Sequence, residues 1–118
     1  MTSLIACLGT GKGTWGHVSR LINDGEWEKI ILITNEFGKE NFNNEKQAEM
    51  VVVDSRKGIE DLREDIKNGL KGKLTGTEIA VNIISGEGKE HMAMISAILK
   101  LGYGIRLFAL TKDGIKEI

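Results

Sequence analysis

Two glycine-rich stretches of this sequence carry the residue types and the spacing that phosphate binding requires. One is GTGKGTWG, residues 9–16, and the other is SGEGK, residues 85–89; each follows an apolar run and precedes a helical pattern. Glycine lets a backbone turn sharply and leaves its N–H groups open, and the start of a helix favours an anion. A lysine in each stretch adds positive charge. We therefore predict that both stretches bind phosphate, and a flexible turn without a ligand is the plain alternative.

Hydroxyl, amide and aromatic side chains in or near these stretches complete the set of candidate ligand-binding residues. The set is Gly9, Thr10, Gly11, Gly13, Thr14, Trp15, Asn35, Asn82, Ser85, Gly86, Glu87 and Gly88. Trp15 has two interpretations, stacking on a base and packing in the core, and Asn82 is predicted to brace its loop by hydrogen bonds. His17 and His91 each fall in the first helical turn after a glycine stretch, where an imidazole can orient a phosphate or move a proton. A structural or surface role is the commoner use of a lone histidine.

Apolar runs that alternate with helical patterns must position these residues. Strands are predicted at 3–8, 29–34, 50–53, 78–84 and 104–110, with a short sixth strand at 115–118 that closes a hairpin after the turn at 111–114. Helices are predicted after the first glycine stretch, at 58–74 and at 90–101, and a loop with a short helix at 37–46. Near-continuous apolar strands separated by helices indicate a parallel sheet covered on both sides. The predicted fold class is thus α/β, a Rossmann-like three-layer sandwich with strand order 3-2-1-4-5.

This strand order makes a geometric prediction for the two glycine stretches. Strands one and four are neighbours in it, and the chain leaves them on opposite sides of the point where the order reverses. Ligands of open α/β sheets bind in the crevice at that point. We therefore predict that residues 9–16 and 85–89 face each other across one cavity.

Length and charge limit the classes of function. The chain has 118 residues, 41% of them hydrophobic and 28% charged, which fits a single domain over residues 1–118. Its net charge of −1 argues against binding duplex DNA by charge, and no apolar run approaches the length of a membrane span. The N-terminal apolar run is short and lacks the basic flank of a signal peptide, so a cytoplasmic location is predicted. The single cysteine, Cys7, is predicted to be a core residue.

Several chemistries lack their sequence pattern. Neither Lys12 nor Lys89 is followed by Ser or Thr, so the sequence contains no Walker-type phosphate loop. No set of cysteines or histidines has the spacing of metal ligands, and no Ser-His-Asp pattern stands out. We therefore predict no bound metal and no resident cofactor.

The C-terminal third of the chain, EIAVNIISGEGKEHMAMISAILKLGYGIRLFALTKDGIKEI, resembles the CRISPR-associated Rossmann fold (CARF) domain family. Members of that family commonly show a strand, an asparagine, a small hydroxyl residue, two glycines and a basic residue, and then a helix of small and apolar residues. The matching positions are Asn82, Ser85, Gly86, Gly88, Lys89 and Met92. Glu87 departs from the pattern because it separates the two glycines. The opening LIACLGTGKGTW is loosely similar to the family's other ligand loop.

The resemblance implies a stand-alone member of an antiviral defence family, a homodimer whose two copies line a shared cleft for a cyclic oligoadenylate second messenger. Such a chain would be a small sensor, a messenger sink or a metal-independent ring nuclease. A ring nuclease sets the ribose 2′-hydroxyl in line with the adjacent phosphate and stabilises the developing charge. The candidate catalytic residues that the resemblance implies are Lys12, Lys89 and His91, with His17 as the alternative proton-transfer group. Ser85 and Thr10 would hold oxygens.

Two other classes of function stay open. Gly11, Gly13 and Gly16 spell G-x-G-x-x-G, and Glu36 lies roughly where a dinucleotide-binding domain carries its acid. Those residues fit an NAD-linked regulatory domain. A non-catalytic interaction protein would instead use the apolar last helix, whose methionines are most simply core residues or a self-association face.

Overall fold

The order of the strands in the sheet determines where the two glycine stretches lie. The computed structural model describes residues 2–118, in which six strands form one sheet of order β3-β2-β1-β4-β5-β6. The strands are β1 (Thr2–Cys7), β2 (Trp27–Thr34), β3 (Glu49–Val52), β4 (Glu78–Asn82), β5 (Gly104–Thr111) and β6 (Gly114–Glu117). The first five are parallel to their neighbours, and β6 runs antiparallel to β5. These pairings confirm the predicted α/β class, the 3-2-1-4-5 order and the C-terminal hairpin.

Helices cover both faces of the sheet. They are α1 (Trp15–Asp24), α2 (Glu36–Asn41), α3 (Ile59–Leu70) and α4 (Gly88–Lys100), and a short 3-10 turn (Lys12–Thr14) precedes α1. Successive side chains of a strand point to opposite faces, so Ile5 packs with α3 and α4 while Leu4 packs with α1. The result is the three-layer sandwich that the apolar runs predicted. Within residues 2–118, no helix combines the length and the apolarity that crossing a membrane requires.

The second glycine stretch has boundaries that differ from the predicted ones. β4 ends at Asn82 rather than at position 84, because the Asn82 side chain accepts a hydrogen bond from the backbone N–H of Ile84 (3.2 Å) and turns the chain there. α4 begins at Gly88 rather than at position 90, because Glu87 and Glu90 cap the helix. The stretch is therefore a compact turn whose last residues already belong to a helix.

Candidate functional site

Two loops meet at the carboxyl edge of the central strands. The first loop, residues 8–14, joins β1 to α1, and the second loop, residues 83–87, joins β4 to α4. The backbone N–H of Gly9 donates a buried hydrogen bond of 2.9 Å to the Ser85 hydroxyl. Since β1 and β4 are adjacent, this bond joins the loops directly where the strand order reverses. The predicted convergence of the two glycine stretches is confirmed.

The contact between the loops depends on two glycines that have no room for a side chain. A Cβ added at Gly9 would lie 2.7 Å from the Cα of Gly86, a distance at which atoms overlap. Gly86 has a φ of +97°, and a Cβ there would lie 2.6 Å from the sulfur of Cys7. Cys7 is buried beneath the loops, as predicted, and burial, followed by the charge of Glu90, raises the pKa of its thiol to about 12. Gly9 and Gly86 therefore serve the packing of the loops.

A crevice of about 450 Å³ opens above this contact. Its lining residues are Thr10, Gly11, Gly13, Thr14, Asn35, Ser55, Ile84, Gly86, Glu87 and Glu90. All but Ser55, Ile84 and Glu90 belong to the predicted set of ligand-binding residues. Ser55 follows β3 at the same sheet edge, and Glu90 stands three residues after Glu87, so strand order and a capping pattern were the signals for these two. The lining thus draws on the loops that follow four neighbouring strands.

The first loop presents open backbone to the crevice. A Cβ added at Gly11 or Gly13 would meet no atom within 4 Å, and neither residue has a positive φ. Neither the 3-10 turn nor α1 has a side-chain cap, and neither has an acidic residue in its first turn. The fold itself does not require these glycines, whereas a ligand that approaches the backbone closely does.

The second loop presents carboxylates instead. The Glu90 carboxylate accepts a hydrogen bond of 2.8 Å from the backbone N–H of Glu87, and the Glu87 carboxylate accepts one from the backbone N–H of Glu90. These two acids form a capping box that occupies N–H groups at the start of α4. At the predicted anion site, the chain's own carboxylates therefore occupy the N–H groups of Glu87 and Glu90 and add negative charge, and Glu87 lines the crevice as an acceptor.

The two candidate lysines lie at the border of the crevice without lining it. The Lys12 ammonium lies 5.4 Å from the ring centre of Phe37 and 5.7 Å from that of Trp15, distances typical of cation–π contact. The Lys89 ammonium donates a hydrogen bond of 2.9 Å to the backbone carbonyl of Lys57. Among the ion pairs of residues 2–118, neither lysine pairs with a carboxylate. Lys12 belongs to the open loop, whereas Lys89 is held against the loop that precedes α3.

Both histidine side chains form hydrogen bonds with backbone groups. His17 Nε2 accepts a hydrogen bond from the backbone N–H of Leu110 (3.3 Å) and lies 3.2 Å from the side-chain amide nitrogen of Asn82, so the neutral ring carries its proton on Nδ1. Burial lowers the pKa of His17. His91 Nε2 lies 2.8 Å from the backbone carbonyl of Ser85, to which it donates. Neither imidazole lines the crevice.

The remaining predicted residues support the site from outside its lining. Asn82 is buried; its side-chain oxygen accepts from the Ile84 N–H of the second loop (3.2 Å), as the bracing prediction requires, and its amide donates to the carbonyl of Phe108 in β5 (2.8 Å). Trp15 donates from its indole nitrogen to the carbonyl of Gly9 (2.8 Å) and packs edge-on against Phe42, the core alternative among its two interpretations. Gly88 is the first residue of α4 and lines a separate groove along that helix. These contacts fix the shape of the crevice.

Comparison of the sequence with protein-family models and with curated proteins gives no match in either case. The chemistry of the site must then be judged from its own groups. In residues 2–118, no three His, Cys, Asp or Glu side chains are grouped so that they would hold a metal ion. The crevice offers a ligand two kinds of surface: one wall has open backbone and hydroxyls, and the other has carboxylates.

Proposed function

We propose that this chain is a nucleotide-binding module that holds its ligand in the crevice between the first and second loops. The observation that carries the proposal is the direct joining of the two loops, through Gly9 and Ser85, beneath a crevice of about 450 Å³. That volume falls within the range of pockets for small molecules and cofactors. The crevice also lies at the point of the sheet where open α/β proteins bind their ligands.

The two walls together favour a nucleotide over an inorganic phosphate. The backbone and the Thr10 and Thr14 hydroxyls of the first loop suit phosphate oxygens. The carboxylates of Glu87 and Glu90 accept hydrogen bonds and repel phosphate, so they suit ribose hydroxyls or the amino group of a base. A ligand that carries an anionic part and a neutral donor part matches both walls. In the reading that the CARF resemblance favours, this ligand is a cyclic oligoadenylate and the chain is a sensor or a sink for it.

A second copy of this chain is the partner that we propose for the outer face of α4. Met92 and Leu99 are 65% and 55% exposed on that face, and Ile95 lies between them. Residues 87–90 carry one net negative charge at the start of the helix and Lys100 lies at its end, so two copies packed antiparallel would place opposite net charges together. The start of α4 borders the crevice and the helix has 13 residues, so an antiparallel pair would place the two crevices about 20 Å apart at opposite ends of the helices. Each copy of this dimer would then hold its own ligand, and the shared cleft that the resemblance implies would require the two helices to pack in parallel.

Binding without cleavage is the activity that the positions of the candidate catalytic groups favour. Lys89 is bonded to the Lys57 carbonyl, His91 to the Ser85 carbonyl, and Lys12 rests on aromatic rings. Ring cleavage would require at least one of these groups to leave its partner and reach the reacting phosphate. A regulatory or sequestering role does not require Lys89 or His91 to leave its backbone partner.

A dinucleotide-binding regulatory domain is the second candidate. Glu36 begins α2 directly after β2 and lines a pocket next to the crevice, together with Asn35. A carboxylate at that position suits the hydroxyls of an adenosine ribose. NAD therefore belongs in the same binding experiment as the cyclic oligoadenylates.

A thermal-shift screen of the full chain tests the proposal. The panel is cyclic tetra-adenylate, cyclic hexa-adenylate, NAD, ADP and inorganic pyrophosphate. A ligand at ~100 times its Kd adds about 2.7 kcal/mol to the free energy of unfolding, which raises Tm by roughly 10 °C for a domain of this size. If no member of the panel stabilises the protein, nucleotide binding is refuted and the interaction surface on α4 becomes the leading candidate function.

A pair of glycine variants ties any binding to the crevice. Gly11→Leu fills open space in the crevice, whereas Gly58→Leu adds the same side chain at a glycine that also has open space and lies outside it. We expect Gly11→Leu to abolish the thermal shift while Gly58→Leu preserves it. Equal shifts in both variants would place the ligand elsewhere on the protein.

The proposed dimer is tested by sedimentation equilibrium. Met92→Lys places a charge in the outer face of α4 and is expected to give a monomer, whereas Leu107→Lys, at a residue of β5 that is 42% exposed, is expected to leave the oligomeric state unchanged. A wild-type chain that sediments as a monomer at all concentrations would contradict the dimer.

A further inference from the structure

A second pocket lies beside the crevice, and Glu36 is the residue of its lining that has been given a role so far. Its volume is about 480 Å³, and it extends over the ends of β2 and β3. The two pockets share Asn35 and Ser55 in their linings, so they form one continuous depression. We propose that this second pocket is a base-binding subsite in which the ring of Phe37 stacks on a nucleobase. The proposal rests on the proposed function and adds where the base of the nucleotide lies.

Phe37 is the residue that gives the second pocket its chemistry. It is 41% exposed, and every other aromatic side chain among residues 2–118 is buried or partly buried. Covering an exposed phenyl ring with a ligand removes apolar surface from water, which is favourable. A base stacked on an aromatic ring covers it in this way, and every base has a face with which to stack. The exposed ring at a pocket that adjoins the phosphate-suited loop is therefore suited to a nucleotide.

The position of Phe37 is fixed by the start of α2. The Asn35 side chain accepts a hydrogen bond of 2.9 Å from the backbone N–H of Gly38 and caps the helix. Gly38 is buried, and a Cβ there would overlap the hydroxyl of Thr34, so α2 lies directly against the end of β2. This close approach holds Phe37 at the sheet edge. A ring held in one place loses little conformational freedom when a base stacks on it.

The same ring is connected to the first loop. Its centre lies 5.9 Å from the ring centre of Trp15, whose indole donates to the Gly9 carbonyl. Lys12 contacts both rings, so a base that stacks on Phe37 competes with the Lys12 ammonium. The displaced ammonium belongs to the loop whose Gly11 and Gly13 line the crevice. Binding of the base in one pocket thereby releases a positive charge for the phosphate in the other.

Polar groups around Phe37 suit the edge of a base and its ribose. Glu36 and Ser55 line the pocket, and a carboxylate and a hydroxyl offer acceptors and one donor. Asp54 and Arg56 also line it and form a two-pronged ion pair, with nitrogen–oxygen distances of 2.9 and 3.1 Å. This ion pair adds donors and acceptors to the lining with no net charge of its own. The second pocket is thus apolar on one ring face and polar at its margin, as a base requires.

Isothermal titration calorimetry of the full chain and its Phe37 variants tests the subsite. The probes are the nucleotides of the thermal-shift panel, with inorganic pyrophosphate as the probe that lacks a base. Because stacking of one base contributes about 1–3 kcal/mol, Phe37→Ala is expected to weaken nucleotide binding about 5- to 150-fold. Pyrophosphate binding should change less than about twofold.

Two further variants separate stacking from folding and from general apolar contact. Phe37→Trp keeps an aromatic face and is expected to retain affinity, whereas Phe37→Leu keeps apolar area without that face and is expected to lose it. Leu107→Ala removes an equally exposed apolar side chain outside both pockets and should have no effect. If Phe37→Ala fails to fold, the difference in nucleotide affinity between Phe37→Trp and Phe37→Leu tests the subsite in its place.

The outcomes distinguish the subsite from the proposed function. A wild-type protein that binds no nucleotide overturns both. Nucleotide binding with wild-type affinity in Phe37→Ala and Phe37→Leu overturns the subsite and leaves the crevice as the nucleotide site. A parallel loss of pyrophosphate affinity in Phe37→Ala also overturns it, because the ring would then support the phosphate-binding loop rather than a base.

Discussion

The first and second loops have similar glycine-rich sequences and meet at one crevice, yet they offer a ligand opposite surfaces. The first loop leaves Gly11 and Gly13 without neighbours and its helix without a side-chain cap. The second loop packs Gly86 against Cys7 and closes the start of α4 with the carboxylates of Glu87 and Glu90. One wall of the crevice is therefore open backbone and the other is acidic.

The difference teaches how a strand–glycine–helix pattern should be interpreted. Glycine marks where the chain turns and where backbones approach closely, and both loops use it in that way. Whether the helix that follows is free to meet an anion depends on whether the chain caps it with its own acids. Phosphate binding is then expected mainly at the first loop. Three predictions test this contrast, and a fourth concerns the hydrogen bonds of His17; their expected effects decrease in that order.

The largest contrast is between glycines that the fold requires and glycines that it does not. Gly86→Ala should destabilise the protein by roughly 2–4 kcal/mol, because the positive φ costs about 1–3 kcal/mol and overlap with the sulfur of Cys7 adds to it. Gly11→Ala, which meets no atom within 4 Å, should change stability by less than about 0.5 kcal/mol. Urea unfolding measures both. A similar loss in the two variants would mean that the first loop is as tightly packed as the second.

The second contrast is between the two lysines. Lys12 belongs to the open loop and lies over aromatic rings, whereas Lys89 is bonded to the Lys57 carbonyl. Because a hydrogen bond to a charged group is worth about 1.5–3 kcal/mol, Lys12→Ala should weaken nucleotide binding about 10- to 150-fold. Lys89→Ala should weaken it less than about threefold.

Calorimetry with the tightest-binding nucleotide of the panel measures both lysine variants, and their thermal unfolding serves as the control for folding. Both side chains are exposed, so both variants are expected to fold. A larger loss of affinity in Lys89→Ala than in Lys12→Ala would reverse the assignment of the phosphate to the first loop.

The third contrast is electrostatic. Glu90→Gln keeps an oxygen that can accept from the backbone N–H of Glu87 and removes a negative charge from the crevice. Pyrophosphate affinity should therefore rise about three- to tenfold at low ionic strength, and the gain should shrink as salt is added. Glu60→Gln, in the first turn of α3 and outside the crevice, is the matched control. An unchanged or lower affinity in Glu90→Gln would show that the acid does not oppose phosphate.

The sheet and the meeting of the loops were predictable from the sequence for a physical reason. Apolar runs such as residues 29–34 are long enough to identify buried strands, and alternation with helices restricts the order of the strands. Once β1 and β4 are neighbours, residues 9 and 85 must lie at the same edge. The convergence therefore follows from topology and needs no knowledge of side-chain positions.

The directions of the side chains were not predictable in the same way. Glycine and lysine in SGEGK suggest an anion site, but the exchange of hydrogen bonds between Glu87 and Glu90 depends on where the helix starts, which the prediction placed two residues late. Lys89 donates to the carbonyl of Lys57, which is distant in the sequence, and His91 donates to the carbonyl of Ser85 in a turn that the prediction did not include. The possible partners of a long charged side chain differ little in free energy, and sequence spacing alone does not show which partner is preferred.

The smallest effect is expected at His17, whose ring joins α1 to β5 and to Asn82 at the end of β4. His17 accepts from the Leu110 N–H, and burial lowers its pKa from 6.5, so the folded protein holds the ring neutral where the unfolded chain would protonate it. The unfolded state then binds more protons below pH 6.5, and the free energy of unfolding falls as pH decreases from 6.5 toward the lowered pKa of His17. A full proton difference would give about 1.4 kcal/mol per pH unit, and partial exposure keeps the effect below that limit.

Replacing His17 isolates this contribution, because His91 is present in both proteins and cancels in the comparison. His17→Gln cannot take up a proton, so its stability should fall less than that of the wild type between pH 7.5 and pH 5 in urea unfolding at ~0.1 M salt. A constant loss at every pH is expected as well, since glutamine cannot reproduce the bond to Leu110 with the same geometry. Parallel pH profiles would mean that His17 has the same pKa in the folded and unfolded states, which would contradict a neutral ring that accepts from the Leu110 N–H.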